Sequence, residues 1–417
     1  MLKLSPVRER AMRARVVARQ LAILSTGQKN AALAAMAGQL RASQEIILSA
    51  NQRDLETGRQ QGMSTALMDR LRLTPQRIES MAAGTEEVMR LADPIGLMEG
   101  WTRPNGLQIR RMRVPLGVLA MIYEARPNVT VEASSLAFKA GNACLLRGSS
   151  SARHSNQVLV DLLQQALREV GLPAEAIQGV AEAGRESVDE LATMTGLVDC
   201  IIPRGGHELI QRVISTATVP VIETGVGNCH LYVHDDADQE MALAILDNGK
   251  TSRPAVCNAL ETLLVHRALA ERFLPRVDER LRAKNVELRG CPLTCQLLPE
   301  ASSADERDWD TEYLDLILAV RVVDGLDQAI EHIARHGTSH SEAIVTTSLE
   351  AARRFQREVD ACAVYVNAST RFTDGGEFGF GAEIGISTQR MHARGPLGLN
   401  ELTTAKYLID GDGQIRV

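Results

Sequence analysis

The sequence predicts an α/β protein: a doubly wound parallel sheet in the first half and a further α/β region after it. Three observations carry this reading. From Gly117 to Ile202, short apolar runs bounded by turn residues alternate with helical patterns, the rhythm of parallel βαβ units. Ahead of them, residues 6 to 92 are rich in Ala, Leu, Met and Arg, strong helix formers whose apolar spacing suits packing on one side of a sheet. After them, strand-like and helix-like segments alternate again from Ala259 to Val366.

The elements follow in order. Ser25-Thr-Gly-Gln28 is a capping-box pattern that predicts a helix through Leu40. Thr74-Pro75 places a cap and a first-turn proline ahead of a helix running towards Leu91. Gly106 to Val114 alternates apolar and polar residues at period two, as an exposed-faced ribbon does. Gly117–Tyr123 is continuously apolar and predicts a buried strand, followed by a helix from about Val129 to Lys139 and a strand at Ala143–Arg147. A helix ending near Glu169, a strand near Ile177–Val180, a helix near Glu186–Thr195 and a strand at Asp199–Ile202 complete the first half. Strands are expected at Ala259–Val265, Leu316–Val323 and Ala363–Val366, with helices around Leu269–Ala283 and Leu326–Arg335. The tail from Tyr407 to Ile415 reads as an edge strand in need of a partner.

Ligands of doubly wound sheets lie beyond the carboxyl ends of the strands. Those ends carry Glu124–Asn128, Arg147–Ser150 and Pro203–Gly206. Gly205 and Gly206 open directly into a helix, a place where backbone N–H groups meet a phosphate. No Gly-x-Gly-x-x-Gly follows the first strand. Gly225-Val-Gly-Asn-Cys-His230 comes nearest but precedes a strand, so it reads as a connecting turn.

Composition narrows the function. The 417 residues suffice for two domains, at roughly 100–200 residues per domain. A net charge of -6 with interleaved signs, and no basic block, argues against nucleic acid as a partner. No apolar run approaches the roughly 20 residues that cross a bilayer, so no membrane role is expected. The Arg-rich start lacks the apolar stretch of a signal peptide. Seven scattered cysteines, an odd number, suit a reducing, cytoplasmic setting. His332, His336 and His340 recur at four-residue spacing, but Gly337 is expected to end their helix, and they read as packing or loop-positioning groups with no metal.

The stretch Lys250-Thr-Ser-Arg-Pro-Ala-Val-Cys257-Asn258 places one cysteine in a polar loop beside Arg253 and Lys250. A nearby cation lowers a thiol from its free value of about 8.5, and the thiolate is the form that attacks carbonyl carbon. The competing reading is a small buried hydrophobe.

Over nearly its whole length the chain resembles the γ-glutamyl phosphate reductases of the aldehyde dehydrogenase superfamily. The matching segments are Val114–Val118, Tyr123–Thr130, Ile202–Gly206, Ser252–Asn258, Val323–Ile344 with its histidines, and Tyr365–Gly376. The resemblance implies an aldehyde dehydrogenase-like fold: a Rossmann-type NADPH-binding domain over residues 1–98 and 117–229, a catalytic domain over 230–395, and oligomerisation elements at 99–116 and 396–417. It implies reduction of L-glutamyl 5-phosphate to glutamate 5-semialdehyde with NADPH, the second step of proline biosynthesis. Cys257 matches the nucleophile and Asn128 the oxyanion-hole amide, against the alternative of a helix cap. Glu312 matches the carboxylate that meets the nicotinamide ribose, against a solvated charge. Arg147 stands where relatives meet the adenosine ribose. Ser150 replaces a glutamate of NAD-using relatives, which favours a 2′-phosphate, with Arg153 or His154 adding positive charge. Arg126 and Arg371, with Ser369 and Thr370 nearby, are candidates for the substrate carboxylate, and structural ion pairs are the alternative. Glu223 aligns with the hydrolytic base of oxidising relatives and is expected here to be a structural or substrate-orienting carboxylate. A homodimer or homotetramer is implied, and a glutamate 5-kinase is a conceivable partner handing over the labile substrate. An oxidising aldehyde dehydrogenase and a silent nucleotide-binding scaffold are the competing functions.

Overall fold

The computed structural model describes residues 4–181 and 184–416, leaving aside the side chains of Ala66 and His207. The last residue of the expected tail, Val417, lies outside the described residues. The chain divides into two compact units. The first comprises residues 1–223, 379–385 and 397–417, and the second residues 224–378 and 386–396.

The first unit is built on a four-stranded parallel sheet in the order Ile177–Gly179, Ala143–Arg147, Val118–Tyr123, Cys200–Arg204. All six residues of Val118–Tyr123 are buried, which is why that run carries no polar alternation. The expected helices are present with their caps. Thr26–Ala42 opens with a capping box between Ser25 and Gln28, and Pro75–Arg90 opens with the Thr74 hydroxyl accepting the Arg77 N–H. Helices Thr26–Ala42, Gln44–Gln60, Pro75–Arg90, Asn128–Lys139 and Arg153–Glu169 share an apolar cluster that includes Leu40, Ile47, Ile78, Val131 and Leu159. Roughly 25 cal/mol per Å² of apolar surface withdrawn from water holds that cluster together.

A three-stranded antiparallel sheet, Met98–Thr102, Gln108–Pro115 and Thr403–Asp410, also belongs to the first unit. The tail strand finds its partner here. Leu402, just ahead of it, is tied to the body by its carbonyl, which accepts from the Asn142 amide at 3.0 Å. The ribbon leaves Met98, Trp101, Tyr407 and Ile409 exposed, with Trp101 and Tyr407 edge to face at 6.4 Å.

The second unit is a seven-stranded sheet whose paired strands all run parallel. Its order is Ser302–Ser303, Glu287–Gly290, Ile317–Val323, Leu260–His266, Cys229–Val233, Ser341–Val345, Ala363–Val366. Period-two alternation sends Leu231 and Leu263 to one face, under helices Gln239–Thr251 and Arg267–Arg282. Tyr232 and Leu264 point to the other, under Leu326–His336 and Leu349–Glu358. The strands Met98–Thr102, Glu287–Gly290 and Ser341–Val345 had no counterpart in the sequence reading. Among the described residues no helix is long and apolar enough to cross a membrane.

Deleting the residues after Ala405 removes five register pairs, Lys406 to Asp410 against Met112 to Gln108. At about 0.2–1 kcal/mol per cross-strand pair, the expected loss is roughly 1–5 kcal/mol. Chemical denaturation of the truncated protein checks it, and an unchanged midpoint refutes the structural role of the tail.

Candidate active site

The residues singled out in the sequence separate by unit. Cys257, Glu312, Ser369, Thr370 and Arg371 fall in the second; Arg126, Asn128, Arg147, Ser150, Gly205, Gly206 and Glu223 fall in the first.

In the second unit, Cys257 is half-buried on the loop between helix Gln239–Thr251 and strand Leu260–His266, at the amino end of that strand. Side chains from the loop after Val366 clasp it. Thr370 is fully buried and its hydroxyl donates to the Asn258 carbonyl at 2.8 Å. The Asn258 amide donates back to the Thr373 carbonyl at 3.0 Å. The Arg371 guanidinium donates to the Asn258 side-chain oxygen and, at 3.2 Å, to the Ser252 hydroxyl. Ser369 caps the short turn Thr370–Phe372 by accepting the Arg371 N–H. Thr370 therefore braces the Cys257 loop.

The turn Gly225–His230, read from sequence as a mere connection, is part of this site. A Cβ on Gly227 would overlap the Cys257 carbonyl, so only glycine lets the two backbones lie together. The Gly227 N–H donates to Glu312 Oε1 at 2.7 Å. Asn228 fixes the same turn by donating to the carbonyls of Trp309 and His336 at 2.7 and 2.9 Å. Next along, Cys229 Sγ donates to the Cys257 carbonyl at 3.2 Å. Burial raises the Glu312 carboxyl, and the Gly227 hydrogen bond opposes that. The glycine spacing just ahead of a buried strand was the available signal for this turn.

Lys250 does not serve Cys257. It is fully buried and paired with the fully buried Glu261 at 2.6 Å. Burial lowers the lysine and pushes the Glu261 carboxyl up to about 7, with pairing opposing both shifts. The cations left for the loop are Arg253, which is exposed, and Arg371. The histidines divide as Gly337 requires. His332 and His336 lie on helix Leu326–His336 with ring centroids 4.6 Å apart, while His340 follows it, buried, 3.8 Å from Cys229 Sγ. Burial drops the His332 imidazole to about 2.

In the first unit, a shallow cleft opens at the carboxyl ends of the strands. Tyr123, Gly148, Ser149, Ser150, Arg153 and Asn156 are among its walls, and the described lining residues include no carboxylate. A Cβ on Gly148 would collide with the Asn156 side chain. Arg147 turns inward instead: its guanidinium donates to the Gly184 carbonyl at 2.7 Å and the Ser187 hydroxyl at 3.2 Å. Asn128 starts helix Asn128–Lys139 without capping it; Pro127 holds the cap position, and the Asn128 amide donates to Glu132 Oε1 at 2.8 Å. Half-buried Arg126 precedes it in the same turn. Gly206 caps helix His207–Thr216, but the Glu124 carboxyl packs over Gly205, so an acid already stands at that positive helix end. Glu223 is half-buried at the end of a segment that runs beside strand Cys200–Arg204.

The sequence profile described as "Aldehyde dehydrogenase family" matches residues 5–294. A γ-glutamyl phosphate reductase of Moorella thermoacetica is 58% identical over 411 residues, 98% of each chain. One of Heliobacterium modesticaldum is 56% identical over 417 residues, the full length of both. The crystal structure of a γ-glutamyl phosphate reductase from Thermotoga maritima is 48% identical and superimposes with a TM-score of 0.97, covering 99% of this chain and 100% of that one.

Lys250→Met strands Glu261 as a buried carboxylate without its partner, a change that costs about 3–5 kcal/mol in such pairs. The Glu261 pKa lies above its unfolded value of 4.5, so the folded state favours the protonated acid. The destabilisation therefore grows as pH rises from that value through the folded pKa. Thermal melts of Lys250→Met across that range, set against Lys250→Met/Glu261→Leu, check this. The double variant regains most of the loss, and equal losses in both refute the coupling.

Proposed function

We propose, because the chain belongs to the aldehyde dehydrogenase family and within it to the γ-glutamyl phosphate reductases, that it reduces L-glutamyl 5-phosphate to L-glutamate 5-semialdehyde with NADPH and releases phosphate. The observation that carries this reading is the braced nucleophile loop: one half-buried cysteine on a segment that Arg371 holds at Ser252 and Asn258.

An acyl phosphate has a good leaving group but accepts hydride poorly. A thiol divides the reaction: Cys257 forms a thioester as phosphate departs, and the thioester is reduced to the aldehyde. NADPH, when bound, supplies the hydride. The first-unit cleft suits it: Gly148 keeps the floor open beside Asn156, Ser150 and Arg153 face a 2′-phosphate, and no carboxylate among the described lining residues repels one. Glu312 is the carboxylate for the nicotinamide ribose. It now holds the Gly227 N–H, so cofactor binding and the turn against Cys257 share one side chain. The Asn128 amide and the Cys257 N–H are the donors for the oxyanion, each such donor contributing about 2.7–4 kcal/mol where it has been removed elsewhere. Arg126 and Arg371 serve the anionic ends of the substrate, its α-carboxylate and its phosphate. Glu223 faces the amine. Seven free cysteines suit a cytoplasmic enzyme, and the exposed ribbon suits assembly into a homodimer or homotetramer.

Cys257→Ala is expected to abolish turnover and keep NADPH affinity, measured by nucleotide fluorescence; appreciable residual turnover refutes the thioester route. The reverse assay, with glutamate semialdehyde, NADP and phosphate, tests the reaction as a whole. Strict dependence on phosphate supports a reductase, and oxidation without phosphate supports a hydrolytic dehydrogenase.

The role of Glu223 is separable. A reductase gains nothing from a base that activates water, because hydrolysis wastes the acyl group. Glu223→Gln is expected to keep phosphate-dependent turnover within roughly tenfold of the parent, about 1.4 kcal/mol in the barrier. A loss of roughly a thousandfold with Cys257 still acylated, inside the general-base range, assigns Glu223 to activation of the second nucleophile instead.

A further inference from the structure

We propose that Arg253 and Arg371 form a phosphate subsite on the nucleophile loop, holding the leaving phosphate of the acyl phosphate beside Cys257. The inference rests on the reductase reading and names the residues that recognise the departing group.

Arg371 bonds one residue on each side of the segment that carries both Arg253 and Cys257. Its Nε donates to the Ser252 hydroxyl at 3.2 Å, and its terminal nitrogen donates to the Asn258 side-chain oxygen. The guanidinium is thus fixed against the loop by neutral acceptors, next to the residue that precedes Arg253. Among the described residues no carboxylate forms an ion pair with either arginine. The nearest acid in sequence, Asp374, is spent on its own turn, accepting the N–H groups of Gly376 and Glu377. Burial and the neighbouring Arg253 charge both lower the Arg371 guanidinium, while charges on Cys257 and Asp374 oppose them. Neighbouring cations that form no ion pair with a carboxylate are relieved by an anion that bridges them.

The chemistry selects phosphate over the substrate's α-carboxylate. The phosphate is attached to the carbon that Cys257 attacks, whereas the α-carboxylate lies beyond three further carbons of the glutamyl chain. Arg253 is four residues from Cys257 on the same loop. A dianion with three free oxygens engages two guanidinium groups at once, while a carboxylate is satisfied by one fork. In the acylation step the S–C bond forms as the C–O bond to phosphate breaks. The electron pair leaves on the phosphate oxygen, and the thiol proton ends on it, giving hydrogen phosphate. Nothing is oxidised or reduced until hydride arrives. Negative charge grows on the phosphate during this step, where two arginines stabilise it most.

The test uses the full-length enzyme and the exposed residue of the pair. In the reverse assay Arg253→Gln is expected to raise the KM for inorganic phosphate by roughly tenfold or more, the range of a charge-assisted hydrogen bond. The KM for glutamate semialdehyde is expected to hold within about twofold, and Arg253→Lys to recover part of the loss. A second readout needs no turnover: inorganic phosphate should protect Cys257 of the parent from iodoacetamide, followed by mass spectrometry, and should fail to protect it in Arg253→Gln. An unchanged phosphate KM with protection intact overturns the subsite. So does a defect that falls on the semialdehyde KM, which assigns Arg253 to the amino-acid end. If the parent does not act on the semialdehyde at all, the reductase reading fails. The protection experiment then decides the subsite alone: protection lost in Arg253→Gln upholds it, and protection retained overturns it.

Discussion

The Cys257 loop depends on one backbone contact. Gly227 lies so close to the Cys257 carbonyl that no side chain fits between them. Everything around the contact serves to hold it. Glu312 accepts the Gly227 N–H, Asn228 reaches the carbonyls of Trp309 and His336, and the Thr338 hydroxyl accepts the Asn228 N–H at 3.0 Å. Two stretches more than 80 residues downstream, Trp309–Glu312 and His336–Thr338, thus converge on a turn that lies 30 residues before Cys257. The parallel sheet makes this possible. Strands Cys229–Val233 and Leu260–His266 are neighbours, so the segments that enter them lie side by side at their amino ends.

Charge is distributed unevenly about that contact. Glu261, Glu312 and Glu342 are buried or half-buried behind the loop, each with its carboxyl raised by burial. Glu342 is held by His230, whose ring and N–H both meet its Oε2, at 2.9 and 2.8 Å. These acids, with complete burial as the larger cause, drive the Cys229 thiol well above its ordinary range. Cys229 stays protonated and donates to the Cys257 carbonyl. Cys257 is half-buried on a loop with Arg253 and Arg371. The two cysteines, joined by that one hydrogen bond, differ in setting: Cys229 is fully buried among acids, and Cys257 is half-buried on a loop that carries Arg253.

Much of the fold was legible because its signals are local. The Ser25–Gln28 capping box, the Thr74-Pro75 start and the apolar strands Val118–Tyr123 and Ala363–Val366 appear where short-range pattern places them. Strand Ser341–Val345 was hidden because its buried polar residues, Ser341 and Glu342, look unlike a core strand until His230 is paired with Glu342. Strand Met98–Thr102 is exposed along its whole length and carries no alternation. At the site, Cys257 was recognisable from its loop. The commitment of Lys250 to Glu261 was not, since a lysine eleven residues before a glutamate shows no partnership until a helix and a strand bring them together. Gly227 escaped for the same reason: the group it must admit is a backbone carbonyl 30 residues away.

The residues named for the two halves of the proposed reaction do not divide cleanly between the two units: Glu312, proposed for the nicotinamide ribose, belongs to the second, and Asn128, Arg126 and Glu223 belong to the first. In the proposed acylation Cys257 forms the bond to the acyl carbon while Arg253 and Arg371 hold the departing phosphate, and all three belong to the second unit. The cleft with Gly148, Ser150 and Arg153, which suits the nucleotide, belongs wholly to the first. Asn128 belongs to the first unit, yet the proposed acylation draws on it. The reason lies in the chemistry. An oxyanion forms when the thiol attacks the acyl phosphate and forms again when hydride attacks the thioester, on the same carbonyl oxygen. A donor serving both steps belongs to neither half. Its amide is free of the capping duty that its place in the helix suggested and is turned along the helix to Glu132. A neutral donor already held by a carboxylate shifts little charge on exchanging that partner for a developing oxyanion, so Asn128 can serve twice in one cycle without a change in protonation.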